Sequence, residues 1–442
     1  MSLSAPRRLL ASVLRPFTKV EPKEVTLVVI MTLTAFLLLT GYYLLKVVRE
    51  PLILSQAGAE GKLYSRAGQT VLMIGFVHLY GELAKRVGRR KLLLVVFLFF
   101  ISNLVLFALL ARAEVEIGIP FFLWVGLFSY TVVAQFWALA ADVYTEEQGK
   151  RLFPIIGAGS SVGALAGASL ARALMPYGPH VLMGGAVVFL VACVSLIWWV
   201  ETHTAEQAEK AGEPPPEKPM SAEGAFRLLA RDKYLLLIAG MAIALNWVNS
   251  SGEYLLDRTL LATSTDKVFI GAFKAEYSLW YNLLGVGMQL LVVSRVLKYV
   301  GVRKALFFMP GFSMIGYAVA AFLPVLRVVQ VVKIGENALQ YSLQDTTRHA
   351  LFLVTSRVEK FVGKTAVDTI AVRLGSVMSA IVVWLGSLFG MPVAAFAALN
   401  VALTMAWMGF AVAIGREQKR RATLSEAQIA EQPAAAPSAA AA

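Results

Sequence analysis

Residues 25–45 read VTLVVIMTLTAFLLLTGYYLL, 21 positions without one charge. Residues 92–111, LLLVVFLFFISNLVLFALLA, repeat the pattern over 20 positions. An apolar run of roughly 18 or more residues spans a bilayer as a helix. Working outward from these two, similar blocks recur along almost the whole chain, at 25–45, 67–84, 92–111, 118–140, 152–174, 180–200, 234–256, 270–293, 305–323, 325–345, 366–388 and 391–414. The second, fourth, eighth and tenth carry polar residues. The reading is an all-α polytopic membrane protein of twelve transmembrane helices. Composition agrees: of 442 residues 58% are hydrophobic and 16% charged, against about 25% charged in a soluble domain. A soluble enzyme is excluded, and so is an outer-membrane barrel, whose strands alternate over ~10-residue segments. The basic segment 1–24 leads into a first block too long for a cleaved signal peptide, so that block reads as an uncleaved span.

Basic residues orient the spans. The segments on the N-terminal side hold 29 Lys and Arg; the opposite loops hold 7, and Arg172, Lys274, Arg327, Lys333 and Arg373 fall inside spans. Cytoplasmic loops carry the excess of Lys and Arg, which puts both termini in the cytoplasm. That bias also accounts for the net charge of +13 without a nucleic-acid partner. Residues 201–233 include the Pro-rich stretch Glu213-Pro214-Pro215-Pro216-Glu217, a stiff, polar linker composition. They divide the chain into an N-terminal segment 1–24, a six-helix bundle 25–200, a linker 201–233, a second six-helix bundle 234–414 and an Ala/Pro-rich tail 415–442, expected to be disordered.

The halves echo one another. Aligned on Gly88 and Gly301, the segments 85–91 and 298–304 share Lys, Val, Gly, Arg and Lys. Two parallel six-span halves are the layout of major facilitator transporters. The run from Gly81 to Arg90 resembles that superfamily's G-x-x-x-D-R-x-G-R-R loop, with Lys85 where the acid belongs.

Charges inside a bilayer are expensive, so each is a functional candidate. Lys46, Arg49 and Glu50 end the first block, Asp142 the fourth, and Glu253, Asp257 and Arg258 the seventh; Arg172 lies late in the fifth. Lys274 and Glu276 enter the eighth, Lys333 and Glu336 lie in the tenth, and Asp368 and Arg373 start the eleventh. Lys333 and Glu336 are i,i+3 and suited to a local pair, whereas Lys274 and Glu276 are i,i+2 and face apart. Lys46 and Arg49 are i,i+3 cations, with Glu50 turned about 100° away. They are expected to need an anion from another helix or from a substrate, or else to snorkel to the headgroups. Gly159, Gly163 and Gly167 repeat every four residues in the fifth block, a small-residue face for close helix approach.

No catalytic site, metal site or cofactor is assigned. Cys193 is the single cysteine and the four histidines lack ligand spacing. Gly363-Lys364-Thr365 is not a phosphate-binding loop, because Val358 stands where that motif needs glycine and no strand precedes it.

Three blocks carry a family resemblance. Phe136-Trp137-Ala138-Leu139-Ala140-Ala141-Asp142-Val143-Tyr144, running on to Lys150-Arg151-Leu152-Phe153-Pro154-Ile155-Ile156-Gly157-Ala158-Gly159, resembles the F-W-G-F-A-N-x-I-T…A-K-[RK]-F-Y-P-L-F-G-L-G block of the bacterial and plastid ATP/ADP translocases. Tyr341-Ser342-Leu343-Gln344-Asp345, followed by Lys360, Gly363, Lys364, Ala366 and Asp368, is similar to K-Y-S-L-F-D…K-x-K-G-K-A-A-I-D. The run from Tyr42 to Glu50 is similar to Y-T-I-L-R-D-T-K-D. The resemblance implies nucleotide exchange by alternating access between two helix bundles in a bacterial inner membrane. Arg49 matches the family's functional first-span lysine, Lys46 its neighbouring arginine, and Lys364 a matched block. The departures are Val125 and Asn249 at family acid positions, Gln340 at a lysine position, Thr346 at a proline position and Arg348-His349 at the family's Lys-Glu pair. Glu253 lies one turn after Asn249 as a substitute acid.

The expected substrate-binding set is therefore Lys46, Arg49, Glu253, Lys274, Lys333, Lys364 and Arg373. The structural or gating set is Gly88, Arg90, Asp142, Gly159, Gly163, Gly301, Asp345 and Asp368. The expected partners are a nucleotide or another anionic small molecule and the lipid bilayer, with the chain acting as a monomer. The competing reading is an ion-coupled transporter of another anionic metabolite, since a fold does not fix a substrate. The topology is testable alone. A cysteine placed at Ala211 is expected to react with a membrane-impermeant reagent only after permeabilisation; labelling from outside intact cells would reverse the orientation.

Overall fold

The computed structural model describes residues 21, 24–86, 89–144, 146–211, 232–351, 367 and 371–431. The described segments are helical, with no strand among them. Helix α1 (Val25–Arg86) is followed by α2 (Arg89–Arg112), α3 (Gly118–Val143), α4 (Glu146–Leu174) and α5 (Pro179–Ala211). Then come α6 (Lys233–Thr263), α7 (Lys267–Met288), the short α8 (Ser294–Tyr299) and α9 (Val302–Ala305), α10 (Phe308–Phe322), α11 (Leu326–Leu339) and α12 (Asp345–Leu351). The last are α13 (Val372–Leu388) and α14 (Val393–Glu431). Two π-helical turns, Gln289–Val293 and Gln340–Gln344, follow α7 and α11.

Among the described residues, nine helices are long and apolar enough to cross a membrane, and α13 is a shorter apolar helix. The sequence reading of twelve differs for local reasons. The blocks at 25–45 and 67–84 lie in one helical stretch, broken only at Gly58, whose φ of 67° is left-handed. Helix α11 is 14 residues long and carries Arg327, Lys333 and Glu336. The first block also does not end near Lys46: helix continues past Arg49 and Pro51 to the break at Gly58. The tail expected to be disordered from 415 is helical through Glu431, in a run rich in helix-forming Glu, Gln, Lys, Arg and Ala with an i,i+3 pair between Arg420 and Glu417 at 2.7 Å. The remaining tail, most of the linker and most of segment 1–24 lie outside the described residues.

The outward residues match a lipid solvent. On α2, Phe97, Phe100 and Leu104 are sealed inside while Leu98, Leu106 and Leu109 on the same helix stay more than half exposed. A helix apolar all round belongs in a membrane or a deep core.

Two compact units emerge, Met1–Glu217 with Leu256–Val286 and Lys218–Leu255 with Gly287–Ala442. Within the first, helices cannot associate by hydrophobic contrast with lipid, so close packing must do it. Helix α4 meets α1 along its glycines. A Cβ on Gly159 would stand 2.7 Å from the Thr32 carbonyl oxygen, one on Gly163 would overlap the Phe36 carbonyl, and one on Gly167 would stand 2.6 Å from that of Thr40. The partners on α1 also step by four residues. Thr40 Oγ1 donates to the Gly163 carbonyl at 3.2 Å, which becomes reachable at that separation. Aromatic rings fill the space between α2 and α3, with Trp124 edge-on to Phe100 and Phe107 and stacked on Phe121 and Phe128.

At the foot of α1, buried Glu24 accepts hydrogen bonds from Gln148 at 3.0 Å and Arg151 at 3.0 Å, both on α4. Burial pushes its carboxyl up, but the Glu21 N–H, Gln148 and Arg151 outweigh that and hold it below the usual glutamate value. Nearby Tyr144 is pushed up by burial and by the Glu24 charge.

In the second unit, polar contacts join α6 to α13: Ser250 bonds Ser376 at 3.1 Å and Ser251 bonds Ser379 at 3.0 Å. Gly375 lets α13 reach the Ile243 carbonyl. Tyr254 packs edge-on against Phe396 of α14.

The glycine ladder gives a direct test. Gly163→Val pushes a branched side chain into the α1 backbone, and overpacking of this kind costs about 1–3 kcal/mol. Gly157→Ala meets nothing within 4 Å and removes a flexible helical glycine, so it is expected to be neutral or stabilising. Thermal unfolding in detergent should separate the two; equal melting temperatures would show that the close approach is not structural.

Candidate functional site

The first candidate site lies in the Met1–Glu217 and Leu256–Val286 unit and begins with the charges of α1. Arg49 does not wait for a distant anion. Its Nη2 and Nε donate to Glu50 Oε1 at 2.8 and 3.2 Å, its guanidinium lying 4.6 Å from the Phe122 ring centroid. This corrects the expectation that Glu50 faces away: a long arginine side chain wraps around the helix to its neighbour. Lys46 donates to the Tyr281 hydroxyl at 2.7 Å and sits over the Tyr43 and Tyr281 rings at 4.9 and 5.3 Å. Tyr43 in turn donates to Asn282 Oδ1 at 2.9 Å.

Behind this pair is a sealed ionic network. Lys62, three turns after Glu50, bridges Glu50 Oε2 and Asp257 Oδ2, the latter at 2.6 Å. Lys274 approaches Asp257 Oδ1 at 2.5 Å, as a charge contact off the hydrogen-bonding direction, and Glu50 Oε2 at 3.8 Å. Lys62, Asp257 and Lys274 are each no more than 2% exposed. The elements follow from local sequence. Asp257 lies near the end of α6 and Lys274 near the start of α7, and the turn between them is fixed by Asp266, whose Oδ2 accepts the Phe269 N–H at 2.7 Å. An aspartate in that position is a preferred helix N-cap. Pro51 removes one backbone N–H beside the network.

In the second unit Lys333 is fully buried, its ammonium 2.8 Å from Glu336 Oε2 and 3.2 Å from the Asn249 carbonyl. Tyr317 of α10 donates to the same Glu336 oxygen at 2.6 Å. Gly252 makes room, since a Cβ there would overlap the Tyr317 hydroxyl. Asn249 donates to Asn337 Oδ1 at 3.0 Å and Gln340 Oε1 at 2.8 Å.

The sequence-derived set thus separates. Lys46, Arg49 and Lys274 come together. Lys333 pairs with Glu336, as the i,i+3 spacing suggests, and is closed to solvent. Glu253 is half-buried on α6 and Arg373 half-buried on α13. Asp345 accepts from Arg348 at 3.2 Å. Glu276, set against Lys274 in sequence, lies 3.6 Å from Arg172 instead. Gly159 and Gly163 pack on α1, and Gly301 holds a left-handed turn (φ 83°) before α9. Gly88, Lys364 and Asp368 lie outside the described residues, as do the side chains of Arg90 and Asp142. Lys62 was missed because residues 46–66 read as a loop, with Pro51, Gly58 and Gly61 all reading as helix breakers; the signal was the acid Glu50 twelve residues before it. Asp257 read as a span end, not as the partner of Lys274.

Apolar helices of membrane length that bury matched charges define a polytopic membrane protein. Residues 31–339 match the family model of the Major Facilitator Superfamily. The chain belongs to that superfamily. It is similar to ADP,ATP carrier protein 1 of Chlamydia muridarum, 23% identical over 68% of this chain and 65% of the relative, and to ADP,ATP carrier protein 1 of Chlamydia pneumoniae, 22% identical over 68% and 67%. The chain therefore spans about two thirds of the length of these relatives. The resemblance read from the motifs is upheld. Among solved structures it shares its fold with the nucleoside transporter NupG (TM-score 0.59, 13% identity, 87% of this chain and 98% of that one) and the POT family transporter PepTSo (0.58, 13%, 91% and 98%).

Breaking one member of the network leaves an uncompensated buried charge, which costs about 3–5 kcal/mol. Lys274→Met is expected to lower the melting temperature sharply, and Lys274→Met/Asp257→Asn to recover much of the loss, since Lys62 still has Glu50. A double variant no more stable than the single would show that the ion pair is not the unit of stability.

Proposed function

We propose that the protein is a nucleotide transporter of the ATP/ADP-exchange type, working by alternating access between two six-helix bundles. In this reading it has twelve spans, acts as a monomer in the bacterial inner membrane and keeps both termini in the cytoplasm. The observation that carries the proposal is the Lys46–Arg49–Glu50 group. Lys46 and Arg49 are half-buried, whereas Lys62 and Lys274 are sealed, so the first two are the cations a ligand reaches. Arginine grips phosphate through two parallel N–H bonds, and the tyrosines beside Lys46 suit a flat, polar ligand. The carrier names of the chlamydial relatives support the same substrate class.

The pairing suggests how exchange becomes obligatory. In the empty carrier Glu50 neutralises Arg49. A polyphosphate would take over Arg49 and Lys46 and hand Glu50 to Lys62 and Lys274, leaving every charge compensated in either state. Arg49→Ala should therefore fold, because Glu50 keeps two ammonium partners.

The second reading, an ion-coupled carrier of another anion, draws support from Asn249 and Gln340, where amides replace the charges of the family pattern. Labelled ATP uptake into proteoliposomes preloaded with ADP separates the two. Exchange requires internal ADP; uptake into empty vesicles driven by an ion gradient favours the second reading. Each charge-assisted contact is worth about 1.5–3 kcal/mol, so Arg49→Ala and Lys46→Ala should each weaken ATP binding about tenfold or more. Parental affinity in both variants would remove these cations from the site.

A further inference from the structure

In the second unit, several buried polar atoms have no hydrogen-bond partner among the described residues: Glu336 Oε1, Ser313 Oγ and both amide atoms of Asn400. They gather around one group. Glu336 Oε2 already accepts from Tyr317 and Lys333. Asn400 of α14 comes beside the Tyr317 hydroxyl, and Ser313 lies one turn before Tyr317 on the same face of α10. Contacts of Gly316 with Val332 and of Gly335 with Phe312 fix α10 against α11 in that register. Glu336, Lys333, Ser313 and Asn400 are all 0% exposed. A buried polar atom left unpaired costs about 1–3 kcal/mol, so a cluster of them marks a place where something is bound for part of the working cycle.

We propose that Glu336 is a proton-binding site, taking one proton from water at Oε1, and that this protonation leaves Lys333 without its counter-charge. The O–H bond forms at the carboxylate oxygen that has no hydrogen-bond partner. The Lys333–Glu336 pair changes from neutral to a single positive charge, held on Lys333, which keeps its hydrogen bonds to Glu336 Oε2 and the Asn249 carbonyl but loses its counter-charge. An anion then compensates that ammonium, so proton and anion binding favour one another through reciprocal linkage. The other groups facing Glu336 are Tyr317, whose hydroxyl remains a donor, and Glu253, whose charge acts on Tyr317 from α6. A metal cation at Oε1 would sit against the Lys333 ammonium and need a ligand shell, whereas a proton needs one carboxylate oxygen. The inference rests on the anion-transport reading for its consequence, not for the site itself.

Infrared difference spectra of the full-length protein in lipid nanodiscs read the site without any substrate. Acidification should raise the carbonyl stretch of a protonated carboxylic acid in the parent, and Glu336→Gln should lack it. Tyr317→Phe should keep the band at a changed frequency, because the hydroxyl bonded to the carboxyl is gone. In proteoliposomes loaded with ADP, an inward gradient of about one pH unit should raise steady-state accumulation of labelled ATP up to about tenfold. Glu336→Gln should exchange without responding to the gradient. A band that persists in Glu336→Gln, a frequency untouched by Tyr317→Phe, or accumulation driven by sodium and not protons overturns the proposal. A parent that exchanges no nucleotide overturns the transport reading, and the infrared comparison then decides the proton site by itself.

Discussion

A charge held away from water must be neutralised by another charge, and much of this chain's architecture answers that demand. Glu50, Lys62, Asp257 and Lys274 lie almost wholly out of solvent within one unit, and each touches at least one opposite charge. Desolvating such ions costs several kcal/mol apiece, which attraction repays only with good geometry. Apolar residues of similar size would be a simpler way to stabilise the fold. Charges retained at this cost point to work that apolar residues cannot do, namely exchanging partners. The same accounting extends to Lys333, Glu336 and Tyr317 in the other unit, where no side chain in the group is open to solvent.

Charges placed this deep need helices that approach closely and keep their register. The steps Gly159, Gly163 and Gly167 against Thr32, Phe36 and Thr40 provide that for α1 and α4. Because α1 also carries Lys46, Arg49, Glu50 and Lys62, the glycine face positions the ionic network without touching it. Serine pairs play the corresponding part between α6 and α13, the former bearing Asn249.

The departures from the translocase pattern gain a physical sense from the fold. At Asn249 and Gln340 the pattern has an acid and a lysine. Here the two side chains are hydrogen-bonded amide to amide at 2.8 Å. The contact is neutral and satisfied. The amide at position 249 therefore leaves no unanswered charge on α6 at this contact.

By itself the sequence determined what depends on composition and period. Long uncharged runs form helices long and apolar enough to cross a membrane, glycines every four residues form a packing face, and Lys333 with Glu336 at i,i+3 form a pair. Those statements rest on distances within one helix, which 3.6 residues per turn sets in advance. It did not determine how far α1 extends past Lys46, because a helix that buries its charges against others needs no apolar run to continue. Nor did it reveal that Asp257 faces both Lys62 and Lys274, or that Arg49 turns to Glu50. Those partners are separated by up to 195 residues, or depend on a side chain bending around its own helix. Only the packing of α1 with α6 and α7 brings their charges together, and electrostatic pairing is decided by that proximity in space.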